Sequence, residues 1–134
     1  MSNLALMEVQ HALYSKLHGD GVLMGLVTGV YDAVPQKTAL PYVVIGDGTQ
    51  TTLASDGLNL ADLALVIDIW SDAAGRKTVL TIMNRIYALL HLGALTLTGF
   101  QQVLLRCEQA DTALSEQGTR IHGSMRVHVS VVEA

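Results

Sequence analysis

Cysteine is almost absent from this chain. Cys107 is the single one in 134 residues, which excludes an internal disulfide and any multi-cysteine metal site. Charge is scarce as well, at 15% of residues, and only 8 of those side chains are Lys or Arg. They are dispersed, and the net charge of −4 with a pI near 5.6 argues against a protein that coats nucleic acid, since neutralising phosphates requires clustered basic groups. No apolar run reaches the ~20 residues a membrane span needs. The amino terminus has no basic leader followed by an apolar stretch, so no signal peptide is expected. The chain is expected to be made in the cytoplasm and to stay there, or to leave as part of something larger. Neither G-x-G-x-x-G nor G-x-x-x-x-G-K-[ST] occurs among the 12 glycines, so neither phosphate cradle is present.

What is there is a foldable chain. Hydrophobic residues make up 50%, and the mean hydropathy of +0.38 excludes a disordered polymer. A chain of this length fits one domain and buries roughly 65–70% of its unfolded surface in one core. A surface this poor in charge is expected to meet another subunit in part.

Residues 119–131 organise the reading. Ile121, Gly123, Met125, Val127, Val129 and Val131 alternate with Arg120, His122, Ser124, Arg126, His128 and Ser130. That is a strand with a dry face and a wet face, and a register slip of one residue would put every valine in water.

Upstream, residues 4–17 carry Leu6, Val9, Leu13 and Leu17 at helical spacing, ended by Gly19-Asp20-Gly21. Residues 22–27 fit one or two helical turns. Residues 30–35 read as a brief edge strand or ordered loop, because the residue before Pro35 is pushed out of the α region. Residues 41–45 form a β-branched strand opening on Pro41. Residues 46–60, rich in Gly, Thr, Ser and Asp, read as a long connection with strand extensions at its flanks and a flexible tip at Ser55-Asp56-Gly57.

Alternation returns at residues 62–70, with Leu63, Leu65, Ile67 and Ile69 on one face. Ser71-Asp72 is the expected N-cap of a helix carrying Val79, Met83, Ile86 and Leu90, ending near Leu92 with Gly93 as its C′ residue. A short strand at 94–97 and another at 102–109 follow, the latter with Val103, Leu105 and Cys107 inward. Residues 110–118 read as a polar connection. The expected fold is α+β: one domain, a four-stranded antiparallel sheet of two strand pairs with short edge strands added, and two main helices covering one face.

No reaction emerges from these residues. His122 and His128 lie six apart on one strand, about 20 Å at ~3.3 Å per residue, and cannot share a metal ion within a subunit. His11 and His18 are about 10 Å apart along a helix, again too far. Asp62 and Asp68 fail the same test as a carboxylate pair. Cys107, inward on a strand, behaves as a small hydrophobe. Ser124 lacks the strand-to-helix elbow of a hydrolase serine. No catalytic residue, metal site or cofactor is assigned.

One face remains to be explained. Away from the helices the sheet is expected to carry Val66, Trp70 and Leu104 among Asp62, Asp68, Arg106, Glu108, Arg120, Arg126 and His128. A mixed apolar and charged surface of that kind suits contact with a neighbouring subunit.

Four stretches resemble the tail-completion family of long-tailed phages and gene transfer agents. They are VYDAVPQ at 30–36, LPYVVIG at 40–46, IDIWS at 67–71 with Gly75-Arg76 opening a helix, and His122-Gly123 with Arg126 in the last strand. The likeness runs over nearly the whole chain in order and spacing. It implies a small α+β structural protein of the virion, a tail terminator or head-to-tail joining protein, assembled in the bacterial cytoplasm.

The implied form is a homo-oligomeric ring, six-membered in that family, at the head-proximal end of the tail tube. Its partners would be the tail tube protein and a head-side connector or stopper protein. DNA would pass through the lumen without specific binding, and no membrane, enzyme activity or cofactor is implied. Two alternatives stay open: another head–tail connector or tube-like subunit, and a small ligand-binding α+β domain. The expected interface residues are Thr51, Thr52, Ser55 and Asp56 in the long connection, with Asp62, Asp68, Trp70, Arg106, Arg126 and His128 on the sheet face.

Overall fold

The computed structural model describes residues 4–55, 58–72, 75–115 and 118–133. Three helices, α1 (Ala5–His18), α2 (Gly21–Met24) and α3 (Lys77–Leu90), accompany five strands: β1 (Val30–Tyr31), β2 (Tyr42–Ser55), β3 (Leu58–Asp72), β4 (Phe100–Leu114) and β5 (Arg120–Glu133). They build one α+β domain around an open sheet of order β1-β2-β3-β5-β4. The pairs β2–β3, β3–β5 and β5–β4 are antiparallel, while the two-residue β1 runs parallel to β2.

The register follows from the alternation in β3 and β5. Leu65 lies opposite Val127, Ile67 opposite Met125 and Ile69 opposite Gly123, so each apolar residue meets another across the ladder. All of these face the helices and are buried. Helix α1 adds Ala5, Val9, Leu13 and Leu17, and α3 adds Val79, Ile82, Met83, Ile86 and Leu90. Gly123 marks how closely α3 sits on β5: a Cβ there would lie 2.6 Å from Val79 Cγ1 and 2.8 Å from Met83 Sδ. At the other end of this layer Asp20 caps α2 by accepting from the Leu23 N–H (2.8 Å) and holds Arg85 of α3 through two hydrogen bonds of 2.6 and 2.8 Å. The Arg85 hydrogen bonds, then the Leu23 amide, draw the Asp20 carboxyl from 3.8 down to about 2.

Several expected boundaries move. Residues 46–60 are not a long connection. The strand extensions expected at the flanks run through, so that β2 reaches Ser55 and β3 starts at Leu58; Asp56 and Gly57 lie outside the described residues. A polar, threonine-rich stretch can continue a ladder when only one of its faces is covered. Residues 110–118 differ likewise, since β4 continues to Leu114, setting Ala110, Thr112 and Leu114 against Met125, Gly123 and Ile121.

No strand forms at 94–97. Ser71 and Asp72 do not cap α3; they extend β3 against Ile121 and Arg120, and the helix starts after Arg76 without a side-chain cap. Its left-handed exit residue is Leu92 (φ 58°), not Gly93. Gly93 is instead a point of close approach, where a Cβ would sit 2.5 Å from the Leu89 carbonyl oxygen. Val103, expected inward, is 62% exposed because the register of β4 shifts between Gln102 and Leu104 and leaves it out of the ladder. Leu105 and Cys107 do face inward, and burial pushes the Cys107 thiol from 9.0 up to about 11.

Candidate interaction surface

Both long helices lie on one side of the sheet, leaving the wet faces of β3 and β5 open. The ladders set their side chains in rows. Thr51, Asp62, Ser130 and Leu104 lie level across the four long strands; Thr49, Ala64, His128 and Arg106 form the next row. Farther along, Val44, Asp68, Ser124 and Asp111 share a row, and Tyr42, Trp70, His122 and Ala113 another.

The polar groups on this face bind one another. The Ser130 hydroxyl donates to Asp62 Oδ1 at 2.6 Å, and its oxygen lies 3.2 Å from His128 Nε2. His128 Nδ1 is 3.3 Å from Glu108 Oε1, and that oxygen is 3.8 Å from Arg126 Nε. A second group stands beside it: His122 Nε2 meets Asp68 Oδ1 at 2.6 Å, and the imidazole stacks on Trp70 with centroids 4.3 Å apart and planes 14° off parallel. Arg120 Nη1 donates to the Tyr42 hydroxyl at 3.3 Å.

The sequence Ser130–His128–Glu108 has the order of a nucleophile, base and orienting carboxylate, yet its proton flow runs the wrong way. The serine hydroxyl donates to Asp62 rather than to the imidazole. β5 is paired on both sides at this point, so its neighbouring amides belong to the ladders and are not free to bind an oxyanion. What the arrangement does is fix side-chain directions on a flat surface. Among the described residues no group of three or more His, Cys, Asp or Glu is placed to hold a metal ion.

Of the expected interface residues, the fold brings Asp62, Arg126 and His128 into one network, with Thr51 and Arg106 alongside, and joins Asp68 to Trp70 through His122. Thr52 turns the other way, toward the helix layer, beside Leu4 and Ala5. The side chain of Ser55 and the whole of Asp56 lie outside the described residues. Ser130 and His122 were missed as members. Their signal was the wet-face alternation of β5 itself, which becomes specific only when the register sets them against Asp62 and Trp70.

Comparison with known families decides what kind of protein carries this surface. The family described as tail completion protein gp17 matches residues 11–131. The chain belongs to the tail completion protein gp17 family.

As a tail completion protein it is a structural component of a phage or gene-transfer-agent virion. Among solved structures it is similar to a chain in the virion of a native gene transfer agent particle. The TM-score is 0.89 at 28% identity, covering 98% of this chain and 99% of that one. It is also similar to the gp17 protein of bacteriophage SPP1, with a TM-score of 0.68 at 25% identity, covering 95% of this tail completion protein and 91% of the other. No curated protein matches the sequence significantly.

Proposed function

We propose that this tail completion protein forms a ring, six-membered, on the head-proximal end of the tail tube. There it stops tube polymerisation and joins the tail to the head-side connector or stopper protein, while DNA passes through the lumen without specific contacts. The observation that carries the reading is the open sheet face. Asp62, Ser130, His128, Glu108 and Arg126 are held to one another, and Asp68 to His122, on a flat surface, which suits a role that works by shape. We assign it no enzymatic activity and no cofactor.

A cyclic ring uses a heterologous contact in which two different patches of the chain meet, so single substitutions can abolish assembly without unfolding the subunit. The β2–β3 hairpin is the proposed contact position. The test is removal of this protein from assembling particles. Tails of uncontrolled length are the expected result; tails of normal length that fail to join heads would favour the reading as another head–tail connector. Light scattering of the purified protein, backed by negative-stain images, measures the ring directly, with a mass near six times 14.3 kDa expected.

A further inference from the structure

The sheet is open, and its two outer edges are each covered over only part of their length. On one side β1 pairs with Val43 and Val44 alone; beyond Gly46, among the described residues, no backbone group outside the β2–β3 ladder reaches the outer edge of β2. On the other side the chain leaving α3 covers the first half of β4. There the Leu92 N–H donates to the Leu105 carbonyl at 2.9 Å, and the Cys107 N–H donates to His91 Nδ1 at 3.2 Å. Among the described residues, the outer edge of β4 has no such cover from Glu108 to Leu114. Free strand edges template pairing with another strand, and proteins that remain monomeric blunt them with charges, lysine above all, with proline or with bulges. Residues 46–53 and 108–114 contain no Lys, Arg or Pro; their charges are Asp47, Glu108 and Asp111, and the bulges, between Ile45 and Gly48 and between Cys107 and Gln109, lie where each free run begins and leave the rest of it regular.

Direction and height both select a second copy of this chain as the partner. The order β2-β3-β5-β4 alternates in direction, so β4 of one copy and β2 of the next, related by rotation about a ring axis, run antiparallel. The two free runs lie at opposite ends of the sheet. Thr51 is level with Asp62, whereas Asp111 is level with Asp68, a displacement along β3 of about 20 Å at ~3.3 Å per residue. One copy advances the sheet by four strand spacings, about 19 Å at ~4.8 Å each.

Bringing the free runs together therefore inclines the strands by about 45° to the ring axis, near the 35–45° at which sheets close into barrels. The hand agrees with one arrangement. β3, α3 and β4 form a crossover between parallel strands, which is right-handed by rule. With that hand, the incline matches the natural twist of a sheet only when the helices lie outside and the open face lies inside.

We propose that copies of this chain join by main-chain pairing, residues 108–114 of one on residues 46–53 of the next, so that their sheets close into one continuous barrel lined by the open face. The inference rests on the ring reading above and adds the contact that makes the ring.

Cysteine pairing tests it. In a Cys107→Ser background, Thr51→Cys is combined in turn with Gln109→Cys, Asp111→Cys or Ala113→Cys. All three β4 positions share the face of Thr51; Thr51→Cys with Thr112→Cys, which points to the other face, is the control. Each pair is oxidised on assembled rings and separated under denaturing conditions. One of the three is expected to give a ladder of covalent multiples of 14.3 kDa ending at the ring number, with the control remaining a single chain. Rings visible in stain that yield no ladder from any pair overturn the edge contact and leave the ring reading standing. A chain that stays monomeric both alone and on isolated tail tubes overturns the ring reading and this contact together.

Discussion

The two faces of the sheet differ in what holds them. On the helix side, Leu63, Leu65, Ile67, Ile69, Val127 and Val129 are at most 1% exposed and lie opposite apolar or small residues in the β3–β5 ladder. On the open side, half-exposed Asp, Ser, His and Arg hold one another by hydrogen bonds and ion pairs near the surface, where such pairs contribute little. Folding energy resides in the first face. Substitutions there should unfold the chain; substitutions on the second should leave it folded.

The largest expected effect is on the helix side. Ile67→Ala should lower the unfolding free energy by about 2–5 kcal/mol in urea titration, from lost burial plus the cavity left behind. Next comes Gly123→Ala, which drives a methyl group into Val79 and Met83 and should cost about 1–3 kcal/mol by the same measurement. If Gly123→Ala were neutral, α3 would sit more loosely on β5 than its contacts indicate.

The open face should behave differently. Trp70→Ala loses the stack on His122, and its cost in stability should stay near the ~0.5–1.5 kcal/mol of an aromatic pair and its partial burial, while rings of normal mass are expected by light scattering, since a residue of the lumen face makes no subunit contact. Loss of rings from a folded Trp70→Ala protein would place that residue in the contact and overturn the lumen-facing arrangement. Deletion within 51–57, the change expected to block assembly, also breaks the pairing of Thr51 with Asp62, so substitution is the cleaner probe of the hairpin. Ser130→Ala separates Asp62 from His128 and should cost about 1 kcal/mol or less. A cost several times larger would mean that the open face also holds the fold together.

This difference between faces is also why the sequence was legible in some places and not in others. Strict alternation in β3 and β5 reflects burial on one side only, so both strands, their dry faces and the covering helices could be read from residue types. At the outer strands the signal fails for a physical reason. Residues 46–53 and 109–114 have few covered side chains, so selection for apolar alternation is weak there and Thr, Gly, Gln and Asp read as loop. The shifts that expel Val103 and open a bulge between Ile45 and Gly48 are properties of the ladder, invisible to periodicity. The open-face networks were legible as a set of polar residues but not as partners, since Ser130 meets Asp62 through a register that joins positions 68 residues apart.

One charged contact on the helix side sharpens the comparison further. Asp20 is held well below the ordinary carboxylate value by Arg85 and the Leu23 amide, so the native state binds its proton more weakly than the unfolded chain does. Its contribution is therefore complete above pH ~3.8, the unfolded value, and is lost as the pH falls toward about 2. Asp20→Asn removes the titrating group while keeping a capping side chain of similar shape. The difference in melting temperature between the two proteins should be largest near neutral pH and shrink between pH 4 and pH 2, whereas the corresponding difference for Ile67→Ala should not change sign or vanish over that range. The shift should be small, because the Arg85 side chain is still about one-third exposed and the pair is screened by solvent on that side. A gap that stays constant down to pH 2 would mean that Asp20 stabilises α2 and α3 by its shape and not by its charge.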